Sequence, residues 1–214
     1  MMQERGTPRV VSLGPGEAHR AVPGLVRAFW DYPETVHLLP DEAGRRRVLP
    51  RQLGADAKDS ARHGGLDACV QGETVVGAVS WLPAGAYPVS TGRQLRGLLH
   101  VLPALPWALR AAREGLRGQD GNRERHRQVV GDHVWVRCLG VEPDHQSTGI
   151  GGRLLRHVIG AADRSGCGTF LFTATADNAS WYQQFGFDVL DVYHPTATWP
   201  KVWALWRPPP IDEH

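Results

Sequence analysis

Long apolar runs are missing from this chain. The most hydrophobic stretch, Leu98 to Leu109, is short and broken by Pro103 and Pro106, too little to span a bilayer. Excess charge is missing too: 24 Lys and Arg face 22 Asp and Glu, a formal net of +2. That balance sets up no strong field, so neither nucleic acid nor a membrane is expected as a partner. Cysteine is scarce. Cys69, Cys138 and Cys167 are widely spaced without a CxxC pair, which excludes a zinc site or a disulfide framework. His37, His63 and His100 lack ligand spacing as well, and no metal is expected. Isolated thiols suit a reducing compartment, and the N-terminal MMQERGTPRV has no apolar signal core; a cytoplasmic protein is expected. Lysine is nearly absent, with Lys58 and Lys201 the sole examples, a bias read as coding preference. What is left has the balance of a soluble globular protein, 42% hydrophobic and 21% charged, expected to form one domain over 1–214.

Local patterns suggest the elements. Residues 8–13 read as a strand, about 17–30 as a helix interrupted at Asp31-Tyr32-Pro33, and 41–63 as a helix ended by Gly64-Gly65. Strands at 66–71 and 74–81 flank a Gly72-Glu73 hairpin turn. The segment 83–131 reads as a helical insertion, with helical spacing at 94–101 and 104–116 and a polar loop from Gly118 to Gly131. From 133 to 141 Val134, Val136 and Cys138 alternate against His133, Trp135 and Arg137, as in a strand. A helix at about 151–164, stopped by Gly166, leads to a strand at 169–174, a βαβ unit whose two strands should be parallel. Asn178 reads as the cap of a short helix carrying Trp181, Tyr182 and Phe185. Two antiparallel strands at 187–192 and 201–206 close the chain. The pattern is that of an α+β fold built on a mixed sheet.

The densest chemistry lies in LGVEPDHQSTGIGGRLL, residues 139–155. A strand runs into a glycine-rich turn that opens an amphipathic helix, presenting several N–H groups and the positive end of the helix dipole in one direction. Both favour a phosphate. The turn lacks the lysine of a Walker loop, and Leu154 stands where the dinucleotide fingerprint has its third glycine. The second element is Asn178 through Phe187, NASWYQQFGF.

Together these two segments resemble the Gcn5-related N-acetyltransferase (GNAT) family. Gln146-Ser147-Thr148-Gly149-Ile150-Gly151 matches its Q/R-x-x-G-x-G/A motif, and Asn178 to Phe187 its N-x-x-x-Y-x-x-x-G-F element. Looser likeness over about 20–207 is to a puromycin N-acetyltransferase type of subgroup. The resemblance implies a three-layer fold with a splayed, mostly antiparallel sheet and a central βαβ cofactor unit. Acetyl-CoA would lie in the gap between strands 133–141 and 169–174. Leu139, Gly140 and Val141 would meet its pantetheine and thioester, and the segment Gln146, Ser147, Thr148, Gly149, Ile150, Gly151, Gly152 and Arg153 its pyrophosphate. Asn178 would touch the cofactor arm. Tyr182 holds the family's position for the acid that protonates the departing thiolate.

The base is where the sequence departs from the family. A glutamate common on the strand at 169–174 is replaced by Phe172, and strand 133–141 carries no acid. His133 is the candidate taken here, with Asp132 and Asp177 weaker and a low-pKa amine needing no base. Cys138 reads as a small buried hydrophobe, while Trp30, Trp81 and Trp107 read as core or as walls of an acceptor pocket. The expected activity is direct acetyl transfer to a primary amine of a small molecule. The alternatives are acetylation of a protein lysine or N-terminus, and a non-catalytic acyl-CoA sensor. The apolar 98–109 stretch is a candidate homodimer contact.

Overall fold

The computed structural model describes residues 7–129 and 131–210; most of the N-terminal segment discussed above lies outside them. The elements are β1 (Arg9–Ser12), α1 (Val22–Phe29), α2 (Pro33–Leu38), α3 (Glu42–His63), β2 (Gly65–Gln71), β3 (Thr74–Leu82), α4 (Thr91–Val101), α5 (Leu105–Gln128), β4 (His133–Val141), α6 (Ile150–Arg164), β5 (Gly168–Thr173), α7 (Ala176–Gln183), β6 (Asp188–Tyr193) and β7 (Val202–Arg207). One sheet runs in the order β1-β2-β3-β4-β5-β7-β6. Its single parallel pair is β4 with β5, and all other pairs are antiparallel. The mixed, mostly antiparallel sheet implied by the two motifs is therefore what forms.

Helices cover both faces. Leu154, Leu155 and Val158 of α6 pack with Val134, Val136, Leu171 and Tyr182 on one side. Leu25 of α1 and Val48, Leu49 and Leu53 of α3 pack with Leu66, Ala68 and Ala78 on the other. A smaller cluster gathers Phe170, Tyr193, Trp199 and Val202 beyond β5. Close packing leaves no room at the start of β5: a Cβ on Gly168 would lie 1.9 Å from the Trp206 ring. Gly168→Ala is expected to cost about 3 kcal/mol, the upper range for overpacking, read as a lower urea midpoint at unchanged m.

Two features depart from the sequence expectations. The stretch from Gly118, read as a loop, continues α5 to Gln128. Arginine, glutamate and glutamine are good helix formers, and Arg125 ties this turn to Asp191 on β6 at 2.8 Å and covers the Tyr193 ring. The second departure is in β4. Ser80 pairs with Cys138 but Trp81 with Val136, so Arg137 is an extra residue, a β-bulge. The simple alternation therefore breaks. Val134 and Val136 face α6, as do Leu139 and Val141, while Cys138 turns to the α1 and α3 side. The bulged Arg137 reaches α3, meeting Asp56 at 2.6 Å, Asp59 at 3.0 Å and the Ser60 hydroxyl at 3.2 Å.

Candidate active site

β4 and β5 pair over only four residues, His133 with Gly168 through Val136 with Leu171. Beyond that register β4 runs on to Val141, and its β5-facing edge has no strand partner. A gap opens there. On the α1 side the strand is approached closely, since a Cβ on Gly140 would strike Leu25, Phe29 and Ala28. Glu142, just past the strand, pairs with Arg27 of α1; that hydrogen bond, and then the guanidinium charge, hold its carboxyl below the usual range.

The chain then makes a 3-10 turn at Pro143–His145 and enters the loop. Ser147 has φ 60° and Gly149 φ 86°, both left-handed, and α6 starts at Ile150. Glycine removes the steric cost at position 149. Gln146 bonds back to the Pro143 carbonyl, and Arg153 is the first residue to bond into the helix, onto the Gly149 carbonyl at 3.0 Å. Among the described residues, no main-chain carbonyl takes the amides of Ser147 to Gly152. They form an unspent row at a helix N-terminus, the arrangement that binds phosphate. Beside them lies a depression of about 340 Å³ lined by Pro8, Thr148, Gly149, Ile150, Arg153 and Arg156. Arg153 is exposed and held on the Pro8 carbonyl. The Gln146 amide donates to the Val141 carbonyl at 3.2 Å, closing the loop onto the strand end.

Across the gap stands α7. Its cap is Thr175, whose hydroxyl accepts from the Asn178 amide, so Asn178 is a first-turn residue and not the cap. Its own side chain is left exposed. Tyr182 is 7% exposed, edge-on to Trp181 and Phe187. Its hydroxyl has no hydrogen bond among the described residues. Burial raises its pKa, and the nearby phenol of Tyr32 and thiol of Cys138 raise it further, so at neutral pH the group is a proton donor.

Tyr32 enters from the opposite layer, between α1 and α2. Its hydroxyl accepts from the Ala174 amide at 2.6 Å and lies 3.0 Å from the Thr173 hydroxyl, at the free end of β5. Burial pushes its pKa up to about 12. Cys138 is held at about 12 by burial and is a thiol, not a thiolate. Two residues on from Tyr32, Glu34 accepts from the Trp199 indole at 3.1 Å, and burial raises its carboxyl above the usual range. Neither Tyr32 nor Glu34 was singled out as a site residue by motif; the signal available was the break Asp31-Tyr32-Pro33 between two helices. His37 follows on α2, its ring tilted against Trp199 at 5.2 Å and 3.9 Å from Glu114 of α5.

His133 is placed elsewhere. It lies at the start of β4, six residues or about 20 Å from Leu139 along an extended strand. There its Nε2 is 3.1 Å from His126 Nδ1, in a cluster with Tyr87, Trp135, Phe170 and Phe172. Phe172 thus serves an aromatic wall where the family expectation put a carboxylate. Asp132 adjoins His133 and Asp177 lies in the first turn of α7. The three tryptophans considered for a pocket are not brought together. Trp30 packs under Arg45, Trp107 under Arg47, and Trp81 donates to Asp67. The described residues contain no cluster of three metal-ligating side chains.

The histidine pair carries a pH signature. Burial, and then the charge of His133, push His126 down to about 3 from 6.5. Between those values the unfolded chain binds a proton that the folded one refuses, so stability rises with pH there. It is fully present above about 6.5 and falls on acidification at up to about 1.4 kcal/mol per pH unit. His126→Phe should flatten the slope of urea-denaturation free energy between pH 4 and 6 (about the window these values set); an unchanged slope would exclude His126 as its source.

Comparison with known proteins finds a match over the same segment. The model of the acetyltransferase (GNAT) domain matches residues 115–189, which contain β4, the loop, α6, β5 and α7. That match supports assigning the segment to the GNAT family. The Escherichia coli (strain K12) [ribosomal protein bS18]-alanine N-acetyltransferase is 33% identical over 76 residues, 33% of this chain and 51% of that relative. The chain thus spans about half the length of the curated relatives it matches. A Corynebacterium glutamicum structure described as histone acetyltransferase HPA2 and related acetyltransferase aligns over 97% of this chain and 99% of its own, with TM-score 0.68 and 17% identity. The Thermoplasma acidophilum PaiA N-acetyltransferase, solved with coenzyme A, aligns over 94% and 99% with TM-score 0.56 and 10% identity. At these identities the likeness to solved structures is one of GNAT fold.

Proposed function

We propose that this GNAT protein transfers the acetyl group of acetyl-CoA directly to a primary amine of a small molecule. One observation carries the reading: the unspent amides of Ser147 to Gly152 and the unbonded Tyr182 hydroxyl flank the same gap between β4 and β5. The amides suit the diphosphate, with Gln146 and Arg153 at the edges of the loop. The unpartnered edge at Leu139, Gly140 and Val141 suits an extended pantetheine, and an amide there would meet the oxyanion. The exposed Asn178 side chain is available to the cofactor arm.

The chemistry then needs two proton steps. The neutral amine attacks the thioester carbonyl, the C–S bond breaks, and the sulfur takes the phenolic proton of Tyr182. The proton lost by the amine goes to Glu34, which replaces His133 in our assignment of the base. Glu34 is largely buried, its carboxyl is kept proton-hungry by desolvation, and it adjoins Tyr32 at the gap. A small acceptor is favoured over a polypeptide because Trp199, His37 and Glu114 stand close behind Glu34.

Calorimetry with acetyl-CoA, followed by thiol release over a panel of free amines and N-terminal peptides, tests the reading. Turnover with free amines is expected. Turnover on peptides alone would move the acceptor to protein, and binding without thiol release on any amine would leave a sensor. Glu34→Gln is expected to lower kcat/KM by on the order of 10²-fold, with the deficit shrinking as pH rises and the free amine supplies itself.

A further inference from the structure

Helices α4 and α5 are turned the wrong way round for a protein in water. Where they meet, the buried residues are small, Ala104 in the turn between them and Ala108 in the first turns of α5, and α4 has no buried residue at all. Their leucines face out. Leu95, Leu98, Leu99 and Leu102 recur at helical spacing, and Leu105, Leu109 and Leu116 continue the stripe along α5. Each is between 43% and 65% exposed. A contiguous apolar face of this kind marks an interaction surface.

Charge decides what it meets. Arg96, Arg110 and Arg113 lie on these two helices and have no carboxylate partner among the described residues, while Glu114 is engaged with Arg117 and His37. His100 of α4 also lines a cavity of about 890 Å³, together with Arg51, Lys58 and Arg62 of α3. Among the described residues those three cations meet no carboxylate either. A second copy packed on this face would set arginine against arginine, with Glu114 and Glu124 already engaged within the chain. An anionic bilayer answers both features at once, with leucines in the acyl boundary and arginines at the headgroups. No helix among the described residues is long and apolar enough to cross a membrane, so the contact is one of lying on it.

We infer that the outward leucine face of α4 and α5 docks the protein on the surface of an anionic lipid bilayer. The near-neutral net charge hides this, because the unpaired cations are gathered beside the leucines. The inference is independent of the acetyl-transfer reading.

Co-sedimentation of the full chain with vesicles tests it, using phosphatidylglycerol mixed with phosphatidylcholine against phosphatidylcholine alone. Binding is expected to the anionic vesicles and to weaken at high salt. Arg110→Gln and Arg113→Gln should each lower the partition coefficient roughly fivefold. Leu98→Glu with Leu102→Glu should abolish it, and both positions are exposed, so thermal melting should be unchanged. Absence of binding to anionic vesicles overturns the inference. So does a stable dimer in solution that the Leu98→Glu and Leu102→Glu pair dissociates, since a second copy would then own the face. If the leucine pair melts early, the two arginine variants decide alone: undiminished partition by both overturns the inference.

Discussion

Tyr182→Phe is expected to lower kcat by on the order of 10²-fold or more while leaving the affinity for acetyl-CoA unchanged. The argument is one of a single atom. The ring is buried against Trp181 and Phe187, so phenylalanine fills the same space and the core barely registers the change. What disappears is the hydroxyl, which has no hydrogen bond among the described residues and lies close enough to Tyr32 and Cys138 to feel both. Burial keeps it protonated far above neutral pH, so it is charged with a proton whenever sulfur must leave. Steady-state thiol release with calorimetry of acetyl-CoA binding separates the two quantities. An unchanged kcat would remove Tyr182 from the mechanism. A fall in affinity with no fall in kcat would make it a packing residue instead.

Gly151→Asp should weaken acetyl-CoA binding by on the order of 10²-fold, about 2.7 kcal/mol. The position is helical, and a Cβ there would meet only ordinary contacts, 3.5 Å from Trp181 and 3.6 Å from Val141. A carboxylate in the first turn of α6 is itself favourable to the helix. The protein should therefore melt no earlier than the parent. On the proposed reading, the same carboxylate would occupy amides meant for the diphosphate and repel it. Undiminished affinity would mean that the row from Ser147 to Gly152 holds something other than phosphate.

The sequence was most legible where chemistry and backbone coincide. Gly149 is needed for a left-handed turn, a strand and a helix flank it, and the leucines of α6 keep strict helical spacing, so β4, α6 and β5 could be read in order. The bulge at Arg137 could not. Nothing in HVWVRCLGV distinguishes nine alternating residues from eight with one inserted; the choice is made by the partner strand and by Asp56 and Asp59 on α3. The end of α5 was hidden for a related reason. Its polar residues look like a loop until Asp191, 66 positions away, holds Arg125. Glu34 was missed because its environment is assembled from distant chain, with Trp199 165 residues further on. His133 drew attention as a histidine near a motif, yet along an extended strand six residues is a long way.

The inserted residue in β4 also sets a reading frame for the cleft. Side chains on a strand alternate, so one extra position decides which of two registers faces α6 from Cys138 onward. Were Arg137 taken into the ladder as an ordinary strand residue, the motif loop, both tyrosines and every glycine would keep their places in the sequence, yet Leu139 and Val141 would swing toward α1. The strand edge beside the gap would present its other face, with nothing that a comparison of motifs alone would notice.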